Sequence, residues 1–212
     1  MRFLLAILLA LLAAAPAVAG DLVVQVRTAS GAPVPDAVVT LYPGGRASPL
    51  GPAGSYQIAQ RNMQFSPFVL VVPVGADVSF PNFDNVRHHV YSFSPVRRFE
   101  LRLYAREQAR SVHFDRPGIV PLGCNIHDRM ITHLYVSDAP WVAKSDAQGH
   151  ATFADLPAGH YQMRAWHPQL RPGKQQPDRA VDVGDGTTTV TFELPLLPDP
   201  RPDAGDREHS RY

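Results

Sequence analysis

Residues 119–136 read IVPLGCNIHDRMITHLYV, two short apolar runs joined by a segment rich in metal-ligating side chains. Short runs of Ile, Val, Leu and Tyr are typical of β-strands. The segment between them places Cys124, His127 and Met130 in the spacing Cys-x2-His-x2-Met. A loop between two strand ends can present a thiolate, an imidazole and a thioether to one ion. The stretch therefore predicts two strands whose connection forms most of a metal site.

A second imidazole is available upstream, where residues 81–90 read PNFDNVRHHV. Neighbouring side chains on a strand point to opposite faces, so only one of His88 and His89 should face the metal. His88 is the favoured ligand, and His89 is the alternative ligand or a residue behind the site. Two imidazoles, a thiolate and a weak axial thioether form the donor set of blue-copper sites, which transfer electrons.

Zinc is the main competing metal, because one cysteine and two histidines also describe zinc sites that keep an open position. Met130 as a fourth donor favours copper, and so does the lack of a general-base candidate beside the loop other than Asp128. Glu100 is a less favoured extra ligand. Multicopper oxidases and nitrite reductases need His-x-His pairs, and the sequence contains none. We therefore expect a carrier and not an enzyme.

The first 19 residues have the organisation of a cleaved signal peptide, with Arg2, an apolar run over 3–12 and a small-x-small site at 17–19. The apolar run is too short to span a membrane. Export predicts a periplasmic location. The chain has a single cysteine, and in an oxidising compartment such a thiol must be buried and inert or bound to a metal. A formal net charge of +1 gives no argument for a nucleic-acid partner.

Short apolar segments separated by Gly and Pro turns predict an all-β chain of sandwich or barrel type. Residues 65–73 and 77–80 are expected to pair through a turn at Gly75, and residues 99–110 are the only helix candidate. Residues 198–212 are polar, charged and Pro-rich, which predicts a disordered tail. The other predicted strands are 21–27, 37–42, 89–93, 99–103, 111–114, 119–122, 131–136, 151–153, 161–166, 180–183 and 187–194.

Residues 60–137 resemble the cupredoxin family, specifically its small single-copper members, amicyanin and plastocyanin. The resemblance rests on the Cys-x2-His-x2-Met loop and on VSFPN at 78–82 ahead of the first histidine. The run GCNIHDRM at 123–130 also looks like periplasmic proteins of the methylamine-utilisation type. Two positions depart from the small cupredoxins: Ile126 replaces a Pro, and His89 replaces an Asn that ties the ligand loops together.

The resemblance implies a Greek-key β-sandwich that binds one type 1 copper ion through His88, Cys124, His127 and Met130. It also implies that both imidazoles bind through Nδ1 and that Met130 is the long axial ligand. Electrons would then pass through the exposed edge of His127 to and from redox protein partners in transient encounters. Copper delivery with the same ligands is an alternative function. A non-redox β-sandwich with a vestigial copper loop is another.

Residues 20–43 and 140–197 resemble a carboxypeptidase-regulatory-like or transthyretin-like β-sandwich. The matching segments are ASGAPVPDAVV at 29–39, SDAQGHATF at 145–153 and LPAGHY at 156–161. In that family these pieces are near neighbours in sequence. Either the copper module is inserted into this second sandwich, which we favour, or the first segment belongs to the cupredoxin side.

Overall fold

The structure is a computed structural model that describes residues 19–49, 51, 54–173 and 175–198. Within these ranges the chain is all-β and contains no helix. The predicted signal peptide, apart from Ala19, lies outside the described residues, as does residue 199 onwards of the predicted tail. Over the same ranges, no helix is long and apolar enough to cross a membrane.

The strands follow one another closely along the chain. They are β1 (Ala19–Arg27), β2 (Val38–Pro43), β3 (Tyr56–Gln57), β4 (Ala59–Arg61), β5 (Gln64–Ser66), β6 (Val69–Pro73), β7 (Ala76–Ser79), β8 (His88–Phe93), β9 (Arg98–Tyr104), β10 (Ser111–Phe114), β11 (Gly118–Gly123), β12 (Ile131–Ser137), β13 (Trp141–Lys144), β14 (His150–Pro157), β15 (Gly159–Trp166), β16 (Asp178–Val183) and β17 (Thr187–Glu193).

Strands β3 to β12 form the first of two β-sandwiches. Its larger sheet has the order β6-β12-β11-β8-β9, its smaller sheet has the order β10-β7-β3, and β4 and β5 form a hairpin. Alternate residues of these strands point inward, as the two-residue period of a strand requires. Phe80, Val90, Phe114 and Leu134 are among the buried side chains of its core.

The second sandwich is built from strands that precede the first sandwich in the sequence, β1 and β2, and strands that follow it, β13 to β17. One sheet has the order β13-β2-β15-β16, and the other has the order β14-β1-β17. In the latter, β1 runs antiparallel to β14 and parallel to β17. Its core, which includes Leu22, Leu41, Phe153 and Met163, is a separate hydrophobic cluster. The carboxypeptidase-regulatory-like relationship and the domain boundaries stay predictions.

A third apolar cluster joins the two sandwiches. Trp166 of β15 lies against two rings of β12, with centroid separations of 5.9 Å to His133 and 5.5 Å to Tyr135. Val38 and Val69 complete the buried part of this cluster. Because Leu134 and Val136 of the same strand face the first core, the second sandwich packs on the opposite, outer face of the five-stranded sheet.

The predicted pairing of residues 65–73 with 77–80 is wrong. Strand β6 pairs with β12, whereas β7 pairs with β10 and β3. The short connection is bonded to both sheets, because Val74 N–H donates to Ser137 O and Gly75 N–H donates to Phe114 O. Gly75, at φ 89°, therefore marks the step from one layer to the other and not a hairpin turn.

The helix candidate at residues 99–110 is also wrong. Its first half is the edge strand β9, which pairs antiparallel with β8. Phe99 and Leu101 pack against the first core at two-residue spacing, so burial follows a strand period over this segment. The polar residues that follow form a turn in which Gln108 accepts a hydrogen bond from Ala105 N–H.

His133 should make the stability of the protein depend on pH. Burial, and to a smaller extent the charge of His167, lowers its pKa to about 4. Nδ1 of His133 has no hydrogen-bond partner among the described residues. The unfolded chain, in which histidine titrates near 6.5, binds more protons, so stability present above pH 6.5 is lost as pH falls toward 4. The loss should approach about 3 kcal/mol.

Urea unfolding of the metal-free protein at pH 7 and pH 4 measures this effect. His133→Gln should lose about 3 kcal/mol less than the wild type over that interval. The control His113→Gln, at an exposed histidine, should keep the wild-type dependence. Equal losses in the wild type and His133→Gln would show that His133 is not responsible.

Candidate metal centre

The connection between β11 and β12 is a seven-residue loop, 124–130. Its base is closed by backbone hydrogen bonds, since Cys124 N–H donates to Met130 O at 3.1 Å and Met130 N–H donates to His127 O at 3.0 Å. Antiparallel pairing of the two strands continues up to Gly123 and Ile131. The loop therefore starts from a fixed register and holds its three potential ligands close together.

His88 reaches the same end of the sheet on a neighbouring strand. It is the first residue of β8, which runs antiparallel to β11 with Tyr91 opposite Gly123. In an antiparallel pair the start of one strand lies beside the end of the other. The start of β8 thus meets the residues that follow β11, which begin with Cys124.

The structure brings three predicted ligands into one cluster. The Cys124 sulfur lies 4.0 Å from Nδ1 of His88 and 3.5 Å from Nδ1 of His127. All three ligand atoms lie within 4.8 Å of one another. The two imidazole rings are 4.9 Å apart at their centroids and tilted by 56°. Each histidine therefore turns the same nitrogen toward the sulfur.

The spacing of these atoms fits a single metal ion. An ion about 2.0 to 2.3 Å from nitrogen and sulfur donors separates neighbouring donors by about 3.5 to 3.8 Å in a trigonal or tetrahedral arrangement. The two sulfur–nitrogen distances, 3.5 and 4.0 Å, lie at and just above this range. Small rotations of the side chains would bring the sulfur and both nitrogens within bonding distance of one ion.

Burial differs among the predicted ligands. His88 is fully buried, and Cys124 and Met130 are buried within the first core. His127 is half-buried. Burial and the nearby His88 ring lower the pKa of His127, while Asp84 acts in the opposite direction. The lowered pKa keeps the His127 imidazole neutral at pH 7, which is the form that binds metals.

His89 lies outside the cluster. Its Nε2 is 2.9 Å from Oε1 of Glu100, and its ring centroid lies 5.7 Å from that of Tyr91, with the two rings tilted by 40°. Adjacent strand residues face opposite ways, and the structure gives the inward position to His88. Glu100, the less favoured extra ligand, is more than half exposed and pairs with His89 instead.

Asp84 is a site residue that the sequence analysis missed. Its Oδ2 is 2.8 Å from Nε2 of His88, on the opposite side of the ring from the sulfur. Burial alone would raise the pKa of Asp84, but hydrogen bonds from Met63 N–H, His88 and Asn62 N–H lower it. The carboxylate is therefore ionised at neutral pH. In the sequence, this role was signalled by the position of an acidic residue four residues before the proposed ligand His88.

Asn82 is the second missed residue. Its fully buried side chain donates from Nδ2 to Val86 O and Tyr104 O, and its Oδ1 accepts from Asp84 N–H. These bonds fix the loop between β7 and β8. All three of these partners lie outside the 124–130 loop, so Asn82 braces the segment that leads to His88 and not the cysteine loop.

Gly123 allows an aromatic ring to lie beside the cysteine. A Cβ at this position would lie 3.0 Å from Oη and 3.1 Å from Cζ of Tyr91. These contacts are tight, so a larger residue would require the Tyr91 ring to move by a few tenths of an ångström. Glycine therefore lets the Tyr91 ring pack directly on the backbone next to Cys124.

Comparison with solved structures finds partial similarity to copper proteins. A purple cupredoxin from Nitrosopumilus maritimus is 23% identical, with a TM-score of 0.37, over 39% of this chain and 100% of the other. A reduced Cu(I) variant of amicyanin is 23% identical, with a TM-score of 0.38, over 47% and 98%. A copper-containing nitrite reductase from Thermus scotoductus is 21% identical, with a TM-score of 0.38, over 45% and 25%.

With TM-scores this low, the similarities carry no argument about the site. They concern less than half of the chain. No protein-family profile matches the sequence, and no curated protein matches it. The arrangement of donor atoms is therefore the basis for the function that follows.

Removing the Asn82 side chain should loosen the loop that leads to His88. Asn82→Ala leaves buried polar groups without partners, which costs about 1 to 3 kcal/mol for each group. We expect the free energy of unfolding to fall by about 3 kcal/mol in a denaturant titration. Asn85→Ala, at an exposed side chain that accepts one bond from Arg106, should change it by about 0.5 kcal/mol or less. Equal effects would contradict the role given to Asn82.

Proposed function

We propose that this chain is a periplasmic type 1 copper protein that carries single electrons between protein partners. The observation that carries the proposal is the position of the Cys124 sulfur between Nδ1 of His88 and Nδ1 of His127. A thiolate and two imidazoles suit copper in both oxidation states. We propose a carrier and not an enzyme, since the sequence has no His-x-His pair for a second copper centre.

The four proposed ligands would each have a distinct role at this centre. Cys124 would lose its proton on binding, because the thiolate is the ligand. His88 and His127 would supply two imidazole donors, and the Met130 thioether would supply a fourth, weaker one. A bound copper ion would supply the one-electron chemistry. Burial of Cys124 and Met130 within the first core keeps water from the sulfur side of the site.

A preformed site supports electron transfer over turnover of a substrate. The cysteine loop is closed by backbone hydrogen bonds, and the His88 loop is fixed by Asn82. Ligands that already face one another need little rearrangement when the charge of the ion changes. Little rearrangement means a small barrier to gaining or losing one electron.

The surface near the site supports contact with protein partners. His127 is half-buried, so part of its ring reaches the surface. Exposed apolar side chains stand on the segments that carry or brace the ligands, namely Met63, Phe83, Val86 and Ile126. A few exposed apolar side chains fit a brief encounter better than a permanent complex. Periplasmic location rests on the predicted signal peptide.

Copper binding and colour test this function. The wild type should bind one equivalent of Cu(II), show an intense blue or violet thiolate-to-copper absorption and undergo reversible one-electron reduction. Cys124→Ala should lose the intense band completely, because the band requires the thiolate. His113→Ala, at an exposed histidine on β10 of the smaller sheet, should keep both the band and the stoichiometry.

Other results would redirect the assignment. Weak colour with ready loss of the metal would favour copper delivery over electron transfer. A purified wild type that contains no metal and refuses Cu(II) would overturn both copper functions. Tight binding of zinc with no affinity for copper would do the same.

A further inference from the structure

The Asp84 carboxylate links a histidine of the candidate site to a turn outside it. Oδ2 of Asp84 is 2.8 Å from Nε2 of His88 and accepts a bond from Met63 N–H at 2.9 Å, while Oδ1 accepts from Asn62 N–H at 2.6 Å. The Asp84 side chain is only 12% exposed. Three donors thus converge on one nearly enclosed anion.

The turn that supplies two of these donors has an unusual backbone. Asn62 and Met63 connect β4 to β5, and both have left-handed conformations, with φ of 54° and 55°. Two-residue hairpin turns of this shape normally favour Asn and Gly, and a left-handed Met is uncommon. The conformation directs two successive N–H groups at one carboxylate, as anion-binding turns do.

Asp84 is also fixed from its own backbone. Its N–H donates to Oδ1 of the buried Asn82 at 2.8 Å. The carboxylate is therefore held on one side by Asn82 and on the other by the β4–β5 turn. Such rigid support would serve little purpose at a surface carboxylate, but it is what a group that orients a metal ligand requires.

The two imidazoles of the cluster differ in this respect. Nε2 of His88 meets an anion, whereas Nε2 of His127 has no hydrogen-bond partner among the residues described. An ionised carboxylate only accepts hydrogen bonds. Nε2 of His88 must therefore carry the hydrogen, which leaves the Nδ1 lone pair free on the side of Cys124.

We propose that Asp84 is a positioning residue of the copper centre, which locks the His88 ring with Nδ1 toward Cys124 and places a negative charge behind that ligand. This inference rests on the proposed function. A carboxylate behind a metal-bound imidazole increases its donor strength. The added negative charge should stabilise Cu(II) more than Cu(I), and so hold the reduction potential below the value that the three donors alone would give.

Replacement of Asp84 tests the inference. Asp84→Asn removes the charge with little change in shape, and it should weaken Cu(II) binding about 10- to 100-fold. We expect the Cu(II)-to-Cu(I) affinity ratio to fall at least tenfold, which raises the potential by about 59 mV for one electron. Asp84→Ala should do the same and also weaken the hold on the His88 ring.

A matched control separates position from net charge. Asp128 follows the other imidazole ligand directly and is exposed. Asp128→Asn removes one negative charge near the site, and its potential should stay close to that of the wild type. If Asp128→Asn shifts the potential as much as Asp84→Asn does, the inference is overturned, because general electrostatics would then explain the change.

A measurement without metal tests the positioning part separately. Side-chain nitrogen NMR of the metal-free protein should show His88 as the Nε2–H tautomer in the wild type. In Asp84→Ala the preference should be lost, whereas His127 should be unaffected. An unchanged His88 tautomer in a folded Asp84→Ala, or an unchanged potential in a blue Asp84→Asn, would overturn the inference. A wild type that binds no copper would instead overturn the proposed function, while the tautomer measurement would still decide the positioning part.

Discussion

Antiparallel pairing of β8, β11 and β12 is the constraint on which the site depends. It places the end of β11, the start of β12 and the start of β8 at the same end of the five-stranded sheet. Cys124 and His88 are 36 positions apart in sequence, yet their ligand atoms lie 4.0 Å apart. A slip of one residue in β8 would turn His88 outward and His89 inward, because neighbouring side chains alternate. Register is therefore as important to the candidate metal centre as the identity of its proposed ligands.

Support for the site comes from polar groups that do not touch the sulfur. Asn82 fixes the loop before β8 and accepts a hydrogen bond from Asp84 N–H, and the Asp84 carboxylate in turn holds the His88 ring. Among the described residues nothing supports Nε2 of His127 in this way, and His127 lies closer to the surface. The proposed centre thus has one anchored imidazole and one accessible imidazole. That division suits a carrier, which must hold its metal firmly and still exchange electrons with a partner.

Much of this arrangement could be predicted from local sequence. Short apolar runs on either side of the ligand segment predicted β11 and β12, and the Cys-x2-His-x2-Met spacing predicted a loop whose cysteine and histidine the structure brings together. Contacts between distant segments were not predictable in the same way. The β4–β5 turn contacts Asp84 only in the folded chain. Gly75 lies between two sheets because Val74 N–H bonds to Ser137 in one sheet and Gly75 N–H bonds to Phe114 in the other. Residues 99–110 were wrongly predicted as a helix, because an edge strand followed by a polar turn has too few apolar positions to show a clear strand period.

The second sandwich packs against the sandwich that carries the candidate site. Trp166 covers His133 and Tyr135 on the outer face of the five-stranded sheet, while the ligand loop starts from the end of β11. The two sandwiches keep separate cores, so their contact depends mainly on this smaller cluster. The residues of this cluster lie outside the 124–130 loop, and their packing ties the sheet that carries Cys124 and His88 to a second folded body.

A crystal structure of the copper-loaded protein, with data collected at the copper absorption edge, would show directly whether these residues bind the ion. We expect one anomalous peak among Nδ1 of His88, the Cys124 sulfur and Nδ1 of His127, with the ligand loops in the same positions with and without the metal. A peak elsewhere, or coordination through His89, would contradict this expectation. So would a large rearrangement of the 124–130 loop between the two forms.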